Sequence, residues 1–369
     1  MATPASDTPS TWIEKAAMAR LQAQLRTWEV DAVLIQHLPH IRWATGFTGS
    51  NALLVVQADA AHFFTDGRYN VQAPNEVEGA QVHIVSENLL SHLLTGPYLP
   101  DGARVLFQAD HATVVEGSRM QAEGSDTLQW MAAGQVMDGL VMRKTPHEHQ
   151  AIQAAQAVTD AVFTHLLDML KPGLTEHEVA AEIVYQHLRR GAERMSFDPI
   201  VASGPRGALA HARPTDRRLE AGELVVIDMG CFVGGYASDM TRTIALGEPG
   251  EEARRVYSVV LDAQERALEA TMAGIASNDL DQVARGVIEE AGYGPYFSHS
   301  LGHGVGLQIH EPPRVSFRSA EAIPEGAVIT IEPGIYLPDR LGVRIEDLVV
   351  VERGGHRNLT ASTKDLLVL

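Results

Sequence analysis

Four acids and three histidines in the second half of the chain stand where catalysis could use them. Asp228 ends the apolar run LVVID, and Glu332 ends a second such run in TIEPG. An ionised carboxylate buried there costs several kcal/mol unless something cationic meets it, and a metal ion would offset that cost. Asp239 follows Asp228 across CFVGGY, at the start of the β-rich segment DMTRTIAL. That spacing suits a hairpin with both acids side by side. Glu346 follows Arg344 by two residues in GVRIEDLVVV, so on one strand both side chains would share a face. His299, His303 and His310 lie in FSHSLGHGVGLQIHEPP among Gly302, Gly304 and Gly306. These glycines would let the backbone approach a ligand closely, and they break any helix that could make His299 and His303 a zincin pair.

Each residue alone has an ordinary explanation: turn chemistry for Asp239, a surface ion pair for Arg344 and Glu346, core packing for a histidine. The group points elsewhere. One histidine with four carboxylates is an oxygen-rich donor set suited to Mn, Co, Fe or Zn. Five side chains are too many for one small ion, whereas two ions about 3.5 to 4 Å apart, sharing bridging acids, would use them all. Such a pair activates a shared water and polarises a carbonyl, so a dinuclear hydrolase is expected.

The elements that carry these residues repeat. KPGLTEHEVAAEIVYQHLRRG and MAGIASNDLDQVARGVIEEAG each show a turn, a helix N-cap and an amphipathic helix closed by glycine. LEAGELVVIDMG and IPEGAVITIEPG each read as a turn plus a buried strand, ending in Asp228 and Glu332. Asp239 and Glu346 occupy comparable places on the strands that follow. Two related halves packed about a pseudo-twofold axis would bring the four acids face to face. A long helix opens this region: Thr145 is its N-cap, Pro146 takes the first helical position, and Glu148 completes a capping box.

Upstream, Thr11 and Glu14 form another capping box, with a helical pattern to about Leu25. DAVLI, NALLVVQ, AHFFT, QVHIV and RVLFQ then read as strands of a small α/β domain. A chain of 369 residues exceeds the usual size of one core, and the boundary is drawn between residues 1–138 and 139–369. The expected class is α+β.

The formal charge of -18 excludes nonspecific affinity for nucleic acid and disfavours an anionic membrane surface, while it favours cations. Cys231 is the only cysteine, so there is no disulfide, redox pair or thiolate zinc cage. The first residues lack the pattern of a secretory signal, and no run is long and apolar enough to span a bilayer. A cytoplasmic protein is expected. Serine or cysteine hydrolysis has little support, since there is no Gly-x-Ser-x-Gly elbow and no histidine close to Cys231 in sequence.

These motifs resemble the pita-bread metallopeptidases, the family of methionine aminopeptidase, aminopeptidase P and prolidase. The resemblance covers about Arg143 to Leu369 and implies Asp228, Asp239, His303, Glu332 and Glu346 as ligands of two divalent ions, Mn, Co or Zn. It further implies that His211 in ALAHARPT and His310 in QIHEPP contact substrate, that His299 stabilises the tetrahedral intermediate, and that Glu332 shuttles a proton. Arg344 resembles the arginine beside the last ligand, and Arg314 one near the substrate carboxylate in prolidases. WATGFTGSNALLVV and FFTDGRY are similar to the N-terminal domain of bacterial Xaa-Pro peptidases. The resemblance therefore implies a pita-bread catalytic domain and a peptide substrate with proline second. It favours an Xaa-Pro dipeptidase, with aminopeptidase P as the alternative and a non-catalytic binding module as the alternative of another class. It also implies a homodimer, with His37, His40 and Trp43 as residues that could reach a partner's site.

Overall fold

The computed structural model describes residues 16–124 and 128–369, with the backbone alone for 123 and 124. Two compact units form, Met1–Val141 and Met142–Leu369. The capping box at Thr11 lies outside the described residues; the helix that follows it is α1, Ala17–Trp28, whose buried Ala17, Leu21 and Leu25 recur at helical spacing.

In the first unit, α1 is followed by β1 (Ala32–Ile35), α2 (Leu38–Thr45), β2 (Leu53–Gln57), β3 (Ala61–Asp66) and α3 (Gln72–Glu76). Then come β4 (Gln81–Val85), α4 (Leu89–Thr95), β5 (Arg104–Gln108), α5 (Val114–Gly124), β6 (Gln129–Ala133) and α6 (Asp138–Val141). All five apolar runs are strands of one sheet, in the order β4-β3-β2-β1-β5-β6. The sixth strand has no sequence signature: it pairs only with β5 at the sheet's edge and is mostly exposed, so nothing selects an apolar pattern.

The second unit opens with α7 (Pro146–Met169) and α8 (Glu176–Arg189), each held by a capping box, Thr145 with Glu148 and Thr175 with Glu178. Next are β7 (Arg194–Met195), β8 (Ile200–Ser203), β9 (Glu223–Met229), β10 (Cys231–Val233), β11 (Tyr236–Ala237) and β12 (Met240–Leu246). A second pair of helices, α9 (Gly250–Ala270) and α10 (Ser277–Glu290), leads into β13 (Gly302–Gly304), β14 (Glu311–Val315) and β15 (Val328–Ile331). The chain ends with β16 (Gly334–Leu337), β17 (Leu341–Arg344), β18 (Asp347–Glu352) and β19 (Gly355–Asn358). The N-terminus of α10 departs from expectation, because Ala276 stands at the cap and the Ser277 hydroxyl donates instead to the Glu321 carbonyl.

The internal repeat is visible in this order. Each half runs helix, helix, then a pair of long antiparallel strands interrupted by a short hairpin: β9 and β12 around β10–β11, and β15 and β18 around β16–β17. Each half also has its own core. Val162, Phe163, Ile183, Ile227 and Ile244 belong to one, and Val256, Val260, Ile288, Ile329 and Val349 to the other.

The halves are joined along one seam. The Glu346 amide donates to the Thr241 carbonyl, and the Thr243 hydroxyl donates to the Arg344 carbonyl. Arg242, almost fully buried, spans the seam from β12 to pair with Asp347 at the start of β18 (2.7 Å), and it also donates to the carbonyls of Thr363 and Ser362. Asp347 in turn accepts from Gln264 and Asn358. Removing Arg242 leaves buried Asp347 with Lys364 (3.1 Å) as its remaining cation and takes the donor from the carbonyls of Thr363 and Ser362, so Arg242→Met is expected to cost about 3 kcal/mol of stability in urea unfolding. A loss under about 1 kcal/mol would show that the seam does not depend on this pair.

Candidate metal centre

Asp228 lies on the middle strand of the sheet β12-β9-β8, between Ile200 and Thr241. Asp239 comes immediately before β12, after the β10–β11 hairpin has turned the chain back. In the second half Ile331 pairs with Asp347, so continuing that register one step sets Glu332 across from Glu346. Arg344 and Glu346 do not share one strand as the spacing suggested. Arg344 ends β17 and Glu346 precedes β18, where the chain passes from one sheet to another.

All five residues line one cavity of about 610 Å³, together with His211, His299, His310, Arg314 and Arg344. Ligand atoms of Asp239, His303 and Glu346 lie within 4.8 Å of one another. His303 Nε2 is 3.6 Å from Asp239 Oδ2 and 3.4 Å from Glu332 Oε1. The His303 Nδ1–H donates to the Gly304 carbonyl (3.0 Å), which leaves an unshared pair on Nε2 facing the acids. Burial, then His310, pushes the His303 pKa down to about 3, so the ring is neutral.

Neutral nitrogen and carboxylate oxygens that face one another at this range repel unless a cation or protons lie between them. The acids show the same conflict. Burial, then the charges of Glu346, Asp228 and Glu332, holds Asp239 well above the usual carboxylate range. Burial, then Glu332 and Asp228, does the same to Glu346, and burial against the opposing charge of Arg344 pushes Glu332 up to about 7. Asp228 Oδ1 is buried with no hydrogen-bond partner among the described residues. Divalent cations would satisfy all of these at once, and the donor set of four carboxylates with one imidazole fits them.

Other groups aim the acids. Arg344 Nη2 donates to Asp228 Oδ2 (2.6 Å), its Nε donates to the Thr241 hydroxyl (3.0 Å), and that hydroxyl donates to Glu346 Oε2 (2.7 Å). The Thr330 hydroxyl donates to Glu332 Oε1 (3.1 Å) and accepts the His303 amide. Arg344 thus holds a ligand candidate directly. A third contact, Nη1 to the Tyr336 hydroxyl (2.9 Å), brings in a residue that the sequence reading missed. Tyr336 donates in turn to His299 Nε2 (2.9 Å), because the His299 Nδ1–H is given to the Ser300 carbonyl. Nothing in GIYLPDR separates Tyr336 from an ordinary strand residue; only the fold of β16 against β17 shows its place.

The loops that carry the histidines are pinned from below, in the same way in each half. Glu176, fully buried at the start of α8, accepts from the amides of Ser203 and Thr215 and from Arg206, and so ties both ends of the His211 segment. Asp281 on α10 accepts the Leu301 amide and pairs with Arg285, which donates to the His299 carbonyl. The glycines around His303 serve chain packing rather than ligand approach. A Cβ on Gly302 would collide with the Thr330 carbonyl, and one on Gly304 with the carbonyls of Glu311 and Pro312.

His211 and His310 are exposed, and neither ring makes a hydrogen bond among the described residues, so both keep free nitrogens toward the cavity. Arg314 is exposed on β14 at the cavity's edge. In the first unit, Trp43 is buried against the Arg20 guanidinium and His40 is buried beside Gln108. His37, His40 and His111 also bring ring nitrogens within 4.8 Å of one another. Yet His37 and His111 stack face to face, 3.8 Å apart and 4° from parallel, so no single ion can lie in both ring planes. Cys231 is buried, and burial raises its thiol pKa, which removes it as a nucleophile.

Residues 150–353 match the model of metallopeptidase family M24, and residues 18–142 match the creatinase/prolidase N-terminal domain. The chain is 45% identical to the Xaa-Pro dipeptidase of Pyrococcus furiosus over 66% of this chain and 70% of that one. Among solved structures it is similar to the Xaa-Pro dipeptidase from Bacillus anthracis, with a TM-score of 0.91 and 34% identity over 96% of this chain and 99% of that one. It is also similar to the X-Pro aminopeptidase from Thermotoga maritima, with a TM-score of 0.87 and 34% identity over 94% and 100%.

The electrostatics generate a direct test. Adding Mn²⁺ to chelator-treated protein should raise its stability, by about 2.7 kcal/mol at a hundredfold excess over the dissociation constant, and thermal unfolding would read the shift. Elemental analysis of the reloaded protein should find two ions per chain. Asp239→Ala should bind fewer and show a smaller shift; an unchanged unfolding temperature on loading wild type would exclude the five residues as a metal centre.

Proposed function

The chain belongs to metallopeptidase family M24, and from that membership and the site geometry we propose that it is a metal-dependent Xaa-Pro dipeptidase, hydrolysing the bond before proline in Xaa-Pro substrates. The observation that carries this reading is the convergence of Asp228, Asp239, His303, Glu332 and Glu346 on one cavity, with uncompensated negative charge and an orphaned carboxylate oxygen. Those five residues would hold two divalent ions, with Mn, Co or Zn as candidates. Bound there, the ions supply Lewis acidity toward a water and the scissile carbonyl. A homodimer in the cytoplasm completes the proposal.

The protein's own side chains do the rest. Glu332, oriented by the Thr330 hydroxyl, takes the proton of the attacking water and returns it to the leaving proline nitrogen. His211 and His310, with unengaged ring nitrogens at the cavity wall, donate to the substrate around the scissile bond. The role that resemblance assigns to His299 needs adjustment, because both of its ring nitrogens are engaged, one with Ser300 and one with Tyr336. It acts by holding the Tyr336 hydroxyl, which Arg344 also holds, so that the arginine stays aimed at Asp228. Arg314 faces the cavity edge as a cation for the free carboxylate of a dipeptide. That cation favours dipeptidase over aminopeptidase activity, and the filled donor set counts against a non-catalytic binding module.

Two measurements test the reading. The metal-loaded protein should hydrolyse Ala-Pro but not Ala-Ala, lose activity on chelation and regain it with Mn²⁺, Co²⁺ or Zn²⁺. Activity that survives thorough chelation would overturn it. Tyr336→Phe removes a hydrogen bond to a charged group and should lower kcat by about 10- to 100-fold with metal content retained. An unchanged kcat would mean that the Arg344–Tyr336–His299 chain does not serve catalysis.

A further inference from the structure

One buried ion pair of the catalytic unit lies outside the lining of the metal cavity. Lys144, on the segment that leads into α7, donates to Glu311 Oε1 at the start of β14, and both side chains are almost fully buried. Taking two charges out of water costs about as much as their attraction returns, so such a pair adds little stability over apolar side chains of similar volume. What it holds is more telling. Glu311 directly follows His310. Its Oε2 accepts the Gln308 amide (3.2 Å), and its backbone pairs with Gly304 beside a register shift. The intervening loop, 305–310, thus has His303 just before one end and His310 at the other, with their rings edge-on and their centres 4.4 Å apart. The loop is shaped around the pair: a Cβ on Gly306 would collide with the Glu311 carboxylate and the Lys144 stem. Lys144 is fixed at its own backbone, where its amide donates to the Gly326 carbonyl (3.1 Å).

We propose that Lys144 and Glu311 are positioning residues for His310: the pair fixes the loop so that the imidazole stands at the cavity wall, aimed at the substrate. The inference rests on the Xaa-Pro peptidase reading, in which His310 donates to the substrate, and it adds two residues that touch neither substrate nor metal. The other histidine loops are held in the same manner. Glu176 with Arg206 ties the His211 segment and Asp281 with Arg285 that of His299, each acid collecting a backbone amide and a cation. Here the cation stands 167 residues from the acid it meets. His303 depends less on the pair, because the Thr330 hydroxyl accepts its amide and the Gly304 carbonyl accepts its Nδ1–H. Loss of the pair therefore releases His310 and leaves the metal ligands in place.

A double-mutant cycle on the metal-loaded protein tests this, with Ala-Pro as substrate. Lys144→Met/Glu311→Gln removes both charges, leaves no uncompensated ion and keeps an acceptor for the Gln308 amide. It should lower kcat/KM about 10- to 100-fold while metal content stays at the wild-type value. In a His310→Ala background the same change should cost less than about twofold, because the group it positions is already gone. Lys144→Arg keeps the charge and should retain more of the rate than the double variant. An equal loss with and without His310 would overturn the inference, since the pair would then act through the fold at large. So would an unchanged kcat/KM, or a double variant that loses its metal. Should the double variant fail to fold, Glu311→Gln alone carries the same cycle with the same outcomes. If His310→Ala is as active as wild type, the inference falls while the peptidase reading stands; if wild type does not cleave Ala-Pro, the reading itself falls.

Discussion

Four carboxylates buried around one cavity repel one another, and every other feature of the catalytic unit bears on that repulsion. Burial raises the cost of each negative charge, and proximity raises it again, so the acids accept protons more readily than free ones do. Arg344 supplies a single fixed positive charge against Asp228. One cation cannot balance four anions, while two divalent ions can. The lone pair of neutral His303 is aimed at the same space and adds a nitrogen donor atom to the carboxylate oxygens there.

The duplicated architecture is what brings the acids together. Each half contributes one acid at the end of a strand and one just before that strand's partner, and the seam from Thr241 to Arg344 sets the two pairs against each other. The same logic reaches the histidines. A buried acid on the second helix of each half, Glu176 or Asp281, gathers backbone amides and an arginine, and so fixes the loop that carries His211 or His299. Each of these acids is matched by an arginine and by backbone amides, whereas the four in the cavity share Arg344 and leave Asp228 Oδ1 without a partner among the described residues.

Not every cluster of ligand-type residues is a site. His37, His40 and His111 approach one another as closely as the atoms of the metal centre do, but a stacked pair directs its nitrogens along parallel planes. Cys231 offers the opposite case: a nucleophilic atom surrounded by Ala155, Thr159 and Ser238, with burial raising its pKa. Orientation and solvation separate both from the cavity that the five ligand candidates line.

Much of this molecule was legible in its sequence because the signals were local. The capping box at Thr145, the helix N-cap in KPGLTEHE, five apolar runs that became strands, and two acids that end apolar runs depend only on near neighbours along the chain. The matched positions of Asp228 and Glu332 revealed the repeat, since duplication leaves its trace in spacing. Tertiary structure alone decided the remainder. Tyr336 joins Arg344 to His299 across separate strands and Thr241 reaches Glu346 across the seam, while β6 gains a role only as an edge. The physical reason is the same in each case. A side chain's charge and donors are written in its own identity, but whether they are satisfied depends on groups that only folding brings near.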